Sequence, residues 1–292
     1  MSKKLVGDML KEVRENSRIE ADVIYNQLMS RSNLYRIESN KQLSNYDLTI
    51  QLIKRLSMDV AEFEFLRNGY HYEPLQEFMN ELKSIRNSAN VNALKKLLNK
   101  VIIQTEQDET ISLINFKNML LGYIKLQETK NIGEARIYFS KIWENLKEKE
   151  SWYYNDIILI SNILFIFEEE TMRQMFENLN KYYNLYDSFG DAKRMKRNTL
   201  YNYCSFLRLH KRILEVERPA EEVYQLAEAD EDILMMMECR YCLCEVNWVK
   251  GEKSQSSKEV QFIISTLKYN KQIVVAEDIQ NDWYELTGEK IE

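Results

Sequence analysis

Two prolines and seven glycines in a chain of 292 residues leave the backbone few places to turn sharply. β-Hairpins and sandwiches need turn residues every few positions, whereas helices need only a stop and a new start every few turns. The chain is therefore expected to be all-α. Its length accommodates one small domain beside a larger one, with enough residues to bury a core in each. The opening Met1-Ser2-Lys3-Lys4-Leu5-Val6-Gly7-Asp8 turns polar at once, unlike a signal peptide. The longest near-apolar stretch, 157–167, is interrupted by Ser161 and Asn162 and is too short to span a bilayer. The expected location is cytoplasmic, with no membrane contact.

The breaks divide the chain unevenly. Apolar residues at helical spacing mark five short segments. The first carries Met9, Leu10 and Val13, the second spans 19–28, and the third carries Leu34 and Ile37. The fourth carries Leu48, Leu52, Ile53 and Leu56, and the fifth Phe63 and Leu66. Ser44, with Asp47 three residues later, offers a capping box for the fourth. Gly69-Tyr70-His71-Tyr72-Glu73-Pro74 then interrupts the pattern, and Pro74 suits the first turn of a new helix. This places a boundary between a five-helix helix-turn-helix domain at 1–68 and a second domain at 69–292. Longer helices are expected at 74–84, 90–105, 109–128, 132–147, 152–167, 171–186, 192–210, 219–229, 231–250, 258–270 and 274–286.

Within the small domain one stretch combines a start, an inward face and an outward face. Ser30 can cap a helix running to Glu38, Leu34 and Ile37 lie three apart on the stripe to be buried, and Asn40 can take the left-handed backbone of a helix end. Arg31, Ser32, Asn33, Tyr35 and Arg36 are left facing outward. Arginine pairs with guanine and asparagine with adenine through two hydrogen bonds, while serine, tyrosine and lysine reach phosphates. Arg31, Asn33 and Arg36 are thus candidate base contacts on double-stranded DNA, and Ser32, Tyr35 and Lys41 candidate phosphate contacts. The stretch resembles the recognition helix and following turn of phage-repressor helix-turn-helix proteins, with Asn40 where their turn glycine stands.

The resemblance extends through the domain. Gly7-x-x-Leu10-Lys11-x-x-Arg14, Ser30-x-Ser32, Arg36-Ile37-Glu38 and Glu62-Phe63 are similar in order and spacing to the N-terminal domain of the Rgg/GadR/MutR transcriptional regulators. The second helix departs from the pattern: Ile24 or Tyr25 stands where a small alanine is usual, and Gln27 or Leu28 where a glycine is. The resemblance implies a cytoplasmic DNA-binding regulator with a tetratricopeptide-like repeat domain that binds short imported peptides. As such a regulator it would act as a homodimer. The departure in the second helix keeps an alternative open, a helical-repeat interaction protein whose helix-turn-helix no longer binds DNA.

The second domain carries a pattern of its own. Asn118-Met119-Leu120-Leu121, Asn162-Ile163-Leu164-Phe165 and Asn202-Tyr203-Cys204-Ser205 recur at intervals of 44 and 40 residues. That period fits a superhelical stack of TPR-like helical hairpins, although the tetratricopeptide consensus is absent. The first helices of such pairs line the concave side. Carboxamides there can satisfy both the N–H and the C=O groups of an extended chain, so Asn118, Asn162 and Asn202 are candidate contacts to a short peptide. Trp152-Tyr153-Tyr154 with Leu159, Asn162, Phe165, Phe167 and Glu170-Thr171 resembles the repeat domain of the same regulators. Phe262, Ile263, Leu267, Val274, Val275 and Trp283 are candidates to cover the end of the stack against a second copy.

Charge and the remaining chemistry narrow the classes. A net charge of −6 is unusual for a nucleic-acid binder, yet residues 1–68 hold eleven Lys or Arg against ten Asp or Glu, so the acidity belongs to the second domain. The most basic run, Lys193-Arg194-Met195-Lys196-Arg197, lies near a helix start, where positive charge opposes the dipole. It reads as a solvated face, or as an attraction for an acidic peptide or flanking DNA. Cys239, Cys242 and Cys244 cannot converge on one ion from an intact helix, and Cys204 or His210 would have to join them. A metal-dependent enzyme is therefore the less supported reading. The sequence has no phosphate loop, nucleophile elbow or paired-histidine motif, and neither catalysis, a metal nor a cofactor is expected.

Overall fold

The computed structural model describes residues 3–85 and 90–291, and among them run sixteen α-helices, two short 3-10 segments and no strand. The chain forms two compact units, Met1–Lys130 and Asn131–Glu292. The division between them falls well beyond the interruption at 69–74, so the small bundle and three longer helices share the first unit.

That unit opens with α1 (Val6–Asn16), α2 (Ala21–Tyr25), α3 (Arg31–Glu38), α4 (Tyr46–Arg55) and α5 (Val60–Arg67). Leu10, Ile24, Leu34, Ile37, Leu52 and Phe63 meet in a core of their own. Ser30, Asn45 and Asp59 cap α3, α4 and α5, accepting the backbone N–H of Asn33 at 3.2 Å, Leu48 at 2.8 Å and Glu62 at 2.8 Å. The cap of α4 is thus Asn45 rather than Ser44, whose hydroxyl is turned to that of Thr49, 2.6 Å away. The second helix is half as long as the periodicity predicts. Asn26 leaves helical geometry at ψ 130°, and Gln27 then turns the chain with a left-handed backbone, φ 62°. Arg55 of α4 then donates to the carbonyls of Val23, Ile24 and Asn26, which a helix end would otherwise leave bare.

One joint fixes α3 against α1. Arg14 donates from Nε at 2.6 Å and from Nη2 at 2.9 Å to the two carboxylate oxygens of the buried Glu38. Gly7 approaches the end of α3 so closely that a Cβ there would stand 2.0 Å from the carbonyl oxygen of Ile37. Its N–H donates to Asn40 Oδ1 at 3.0 Å, and Asn40 Nδ2 donates to Asp8 at 2.7 Å. Asn40, at φ 56°, closes α3 in a Schellman turn: the N–H of Lys41 reaches the carbonyl of Arg36 at 2.8 Å, and its own N–H that of Ile37 at 2.9 Å.

Asn40 is one of a set. Arg18, Gln27, Ser57, Lys130, Lys211, Glu231 and Lys271 also follow helices with positive φ. A chain poor in glycine thus ends its helices with ordinary residues in the left-handed region, each at a cost of roughly 1–2 kcal/mol.

Beyond the bundle the first unit adds α6 (Pro74–Ser84), α7 (Val91–Gln107) and α8 (Ile111–Thr129), with Pro74 in the first turn of α6. The second unit runs through α9 (Ile132–Leu146), α10 (Tyr154–Ile163), α11 (Glu169–Leu185), α12 (Ala192–Leu209), α13 (Glu217–Ala229), α14 (Ile233–Lys250), α15 (Lys253–Tyr269) and α16 (Ile273–Thr287). The stretch expected as one helix at 152–167 divides. Trp152 is held out of α10 because its indole N–H donates to the carbonyl of Leu146, at the end of α9, at 3.1 Å, and Leu164–Ile166 tightens to 3-10 geometry. Consecutive helices pack from α12 to α16, while α10 also packs on α12 and α14 on α16. This is the arrangement of stacked helical pairs, with even-numbered helices side by side. Among the described residues no helix is long and apolar enough to cross a membrane.

Candidate functional site

The outward face of α3 is built by the joint beneath it. Leu34, Ile37 and Glu38 are buried, which turns Arg31, Ser32, Asn33, Tyr35 and Arg36 to solvent, and Lys41 follows them exposed in the turn. Lys41 Nζ lies 5.8 Å over the Tyr35 ring, joining the two residues expected on phosphates. Among the described residues no carboxylate pairs with Arg31 or Arg36. The eight residues of α3 span about 12 Å, comparable to the width of the DNA major groove. Two guanidinium groups, a carboxamide and two hydroxyls are thus presented to solvent on one short helix.

The three repeated asparagines have different surroundings. Asn118 on α8 is only 7% exposed and lies in the first unit, whereas Asn162 on α10 and Asn202 on α12 lie in the second. Asn162 is half-buried, and its Nδ2 donates to the carbonyl of Ile158 on its own helix at 2.7 Å, while Asn202 is exposed. Two further carboxamides escape the repeat pattern. Asn155 precedes Asn162 by seven residues and Asn198 precedes Asn202 by four, so each shares its partner's helix face, and both are exposed. The exposed Phe165 and Leu209 extend these stripes. Because α10 packs on α12, the two stripes are neighbours.

Other candidate groups prove to be spent internally. Lys193 pairs with Asp187 at 3.5 Å, Arg194 with Asp191 at 3.9 Å and Lys196 with Glu222 at 2.8 Å. Arg197, 3% exposed, donates to Asp230 and Asp232, both at 2.8 Å. The basic run is neither free for DNA nor simply solvated. All four cysteines are buried and unbridged, and burial pushes the thiols of Cys204 and Cys244 up to about 12 and raises those of Cys239 and Cys242 as well. Few thiolates exist at neutral pH under those conditions. Among the described residues no group of three His, Cys, Asp or Glu side chains could hold a metal ion. Ile263, Leu267 and Trp283 are consumed by a core between α14, α15 and α16, with Val275 packed against it. Only Phe262 and Val274, 52% and 65% exposed, remain of the six apolar residues expected to cover the end of the stack.

No family model and no curated protein matches the sequence. Solved structures do match. A Listeria monocytogenes protein assigned as a transcriptional regulator superposes with a TM-score of 0.74 at 17% identity, over 98% of each chain. The SHP pheromone receptor Rgg2 of Streptococcus dysgalactiae gives 0.68 at 13% identity, over 96% of this chain and 99% of that one. PlcR of Bacillus thuringiensis, solved with the peptide PapR7 and DNA, gives 0.65 at 14% identity, over 94% of this chain and 99% of that one.

The chain has the Rgg fold. At these identities the likeness is one of architecture, and it carries the resemblance seen in the first seventy residues across both compact units.

Proposed function

We propose that this protein is a cytoplasmic transcriptional regulator that binds double-stranded DNA as a homodimer through α3 and responds to a short peptide held on the inner helices of its second domain. The observation that carries the reading is the exposed pair Arg31 and Arg36, without a carboxylate partner among the described residues, on a helix locked from behind by Arg14 and Glu38. Arg31, Asn33 and Arg36 contact base edges, and Ser32, Tyr35 and Lys41 contact phosphates. The near-neutral bundle gives modest nonspecific affinity with strong salt dependence. The fold is shared with PlcR, which was solved with both a peptide and DNA.

Asn162 and Asn202, joined by Asn155 and Asn198, offer donors and acceptors to an extended peptide backbone. Asn118, 7% exposed and in the first compact unit, is left out of the proposed set. A peptide that binds one dimer geometry better than another shifts the population toward it and so changes the spacing of the two α3 helices. The alternative of a helix-turn-helix that no longer binds DNA rested on an unusual second helix. Arg55 holds that helix in register, which favours the DNA-binding reading.

Fluorescence anisotropy with the DNA upstream of the gene tests the proposal. Salt-sensitive binding is expected, weakened by Arg31→Ala and by Arg36→Ala and retained when Lys193 and Arg194 are both changed to alanine. Absence of salt-sensitive binding, or binding indifferent to both α3 variants, would leave an interaction protein in its place.

A further inference from the structure

The carboxamide of Asn40 serves two helices at once. α1 starts at Val6 behind Leu5, which offers no side-chain cap, so the N–H groups of its first turn depend on acceptors from elsewhere. Asn40 Oδ1 supplies one from thirty-three residues away, accepting the N–H of Gly7 at 3.0 Å, while Asn40 Nδ2 donates to the Asp8 carboxylate at 2.7 Å. This cap in trans requires the glycine, because a Cβ at Gly7 would stand 2.6 Å from the same Oδ1. The backbone of Asn40, at φ 56°, meanwhile closes α3. Glycine would meet that backbone demand with less strain, so what asparagine adds at this position is its side chain.

Lys41 is the next residue and lies between two anchors. On the α3 side, the carbonyl of Arg36 accepts the N–H of Lys41 at 2.8 Å and that of Gln42 at 3.1 Å. On the α1 side, the carboxamide holds the preceding residue against Gly7 and Asp8. With its backbone fixed in this way, the exposed Lys41 places Nζ 5.8 Å over the ring of Tyr35, itself exposed on α3.

We propose that Asn40 is a positioning residue for DNA binding: its carboxamide ties the end of α3 to the start of α1 and so holds Lys41 where it meets a phosphate. The inference rests on the reading of α3 as the DNA-contacting helix. A lysine on a loose turn gives up part of its attraction to its own ordering, and one held from both sides is ordered beforehand.

Fluorescence anisotropy with the DNA upstream of the gene, over about 50 to 200 mM salt, tests the proposal on four proteins. They are the native chain, Lys41→Ala, Asn40→Gly and the double variant. Lys41→Ala is expected to lower the slope of log affinity against log salt by about one, the signature of one lost phosphate contact. Asn40→Gly should lower the slope by part of that amount and weaken binding about threefold or more. The double variant should then bind like Lys41→Ala alone, within about twofold, because the two residues act through one contact. Arg14 and Glu38 still hold α3 to α1 in the glycine variant, so its helix content by circular dichroism should be native. Losses that multiply in the double variant, unchanged binding by Asn40→Gly, or a glycine variant that does not fold each overturn the proposal. Native binding that Lys41→Ala leaves unchanged overturns it while the DNA reading stands. Absence of salt-sensitive binding by the native chain removes both.

Discussion

Arg31 and Arg36 stand out from α3 with no carboxylate beside them among the described residues, whereas Arg197 and Arg208 in the second unit each hold two. In the bundle, polar side chains fasten α1 to α3 through Arg14 with Glu38 and Gly7 with Asn40, and α4 to α2 through Arg55, while the outward face of α3 is left unspent. In the hairpins, positive charge is used to tie helices together, as by Lys196 with Glu222 and Arg197 with Asp230 and Asp232. The contrast teaches that availability, not local density, marks a nucleic-acid surface: in the richest basic run Arg197 is buried against two carboxylates and its three neighbours have acid partners, whereas Arg31 and Arg36 have none among the described residues.

The sharpest way to break this comparison is to break the joint. Gly7→Ala puts a methyl group 2.0 Å from the Ile37 carbonyl, so the bundle should lose about 3 kcal/mol in chemical denaturation, and DNA affinity should fall with it. Native-like stability would show that α3 can shift and is not locked. Next in size, Arg31→Ala or Arg36→Ala should each cost about 1–3 kcal/mol of sequence-specific binding while leaving the melting temperature in place. The control pair at Lys193 and Arg194, both exposed, should stay within about 0.5 kcal/mol of the native protein in stability and in binding.

Glu238→Gln probes the unspent negative charge of the second unit. Glu238 is faced by Tyr201 and Arg208 from α12, by Asp232 at the start of its own helix and by Asp278 from α16, and its carboxyl titrates above the usual range. The unfolded carboxyl therefore ionises first as pH rises, so the native protein should lose stability relative to the glutamine variant from about pH 5 upward. Melting curves of the two proteins should diverge by a few degrees toward neutral pH, and parallel curves would mean that the carboxylate is already compensated. The smallest effect is expected at a helix end: Lys271→Gly relieves the left-handed backbone at φ 60°, less the entropy that glycine adds to the unfolded chain, for a gain of about 0.5–1 kcal/mol.

Helix positions were legible because apolar spacing and polar breaks are both local, and α6 begins and ends where they place it. What escaped the sequence were effects that depend on distant partners. The five-residue length of α2 is set by Arg55, some thirty positions away, and the exclusion of Trp152 from α10 by a carbonyl on the preceding helix. The start of α4 lies one residue later than the capping box at Ser44 and Asp47 suggests, because Asn45 caps it while the Ser44 hydroxyl turns to Thr49. Asn40 could be recognised in its turn because asparagine tolerates positive φ, whereas Gln27, Arg18 and Glu231 carry no such mark. The outward face of α3 could be read directly, since it needs only the inward placement of Leu34 and Ile37. The pairing of Arg197 with Asp230 and Asp232 could not, because those acids also read as a favourable start for α14.

The helix ends closed by Arg18, Ser57, Lys211, Glu231 and Lys271 give the chain stiff elbows. A side chain confines the left-handed backbone to a narrow well, where glycine would roam, so these corners have little play of their own. In the second unit the corners at Lys211, Glu231 and Lys271 are stiff in this sense while those at Gly190 and Gly251 are not, so rearrangement there falls to the glycine corners and to sliding between helix faces, where the polar fastenings around Arg208 lie.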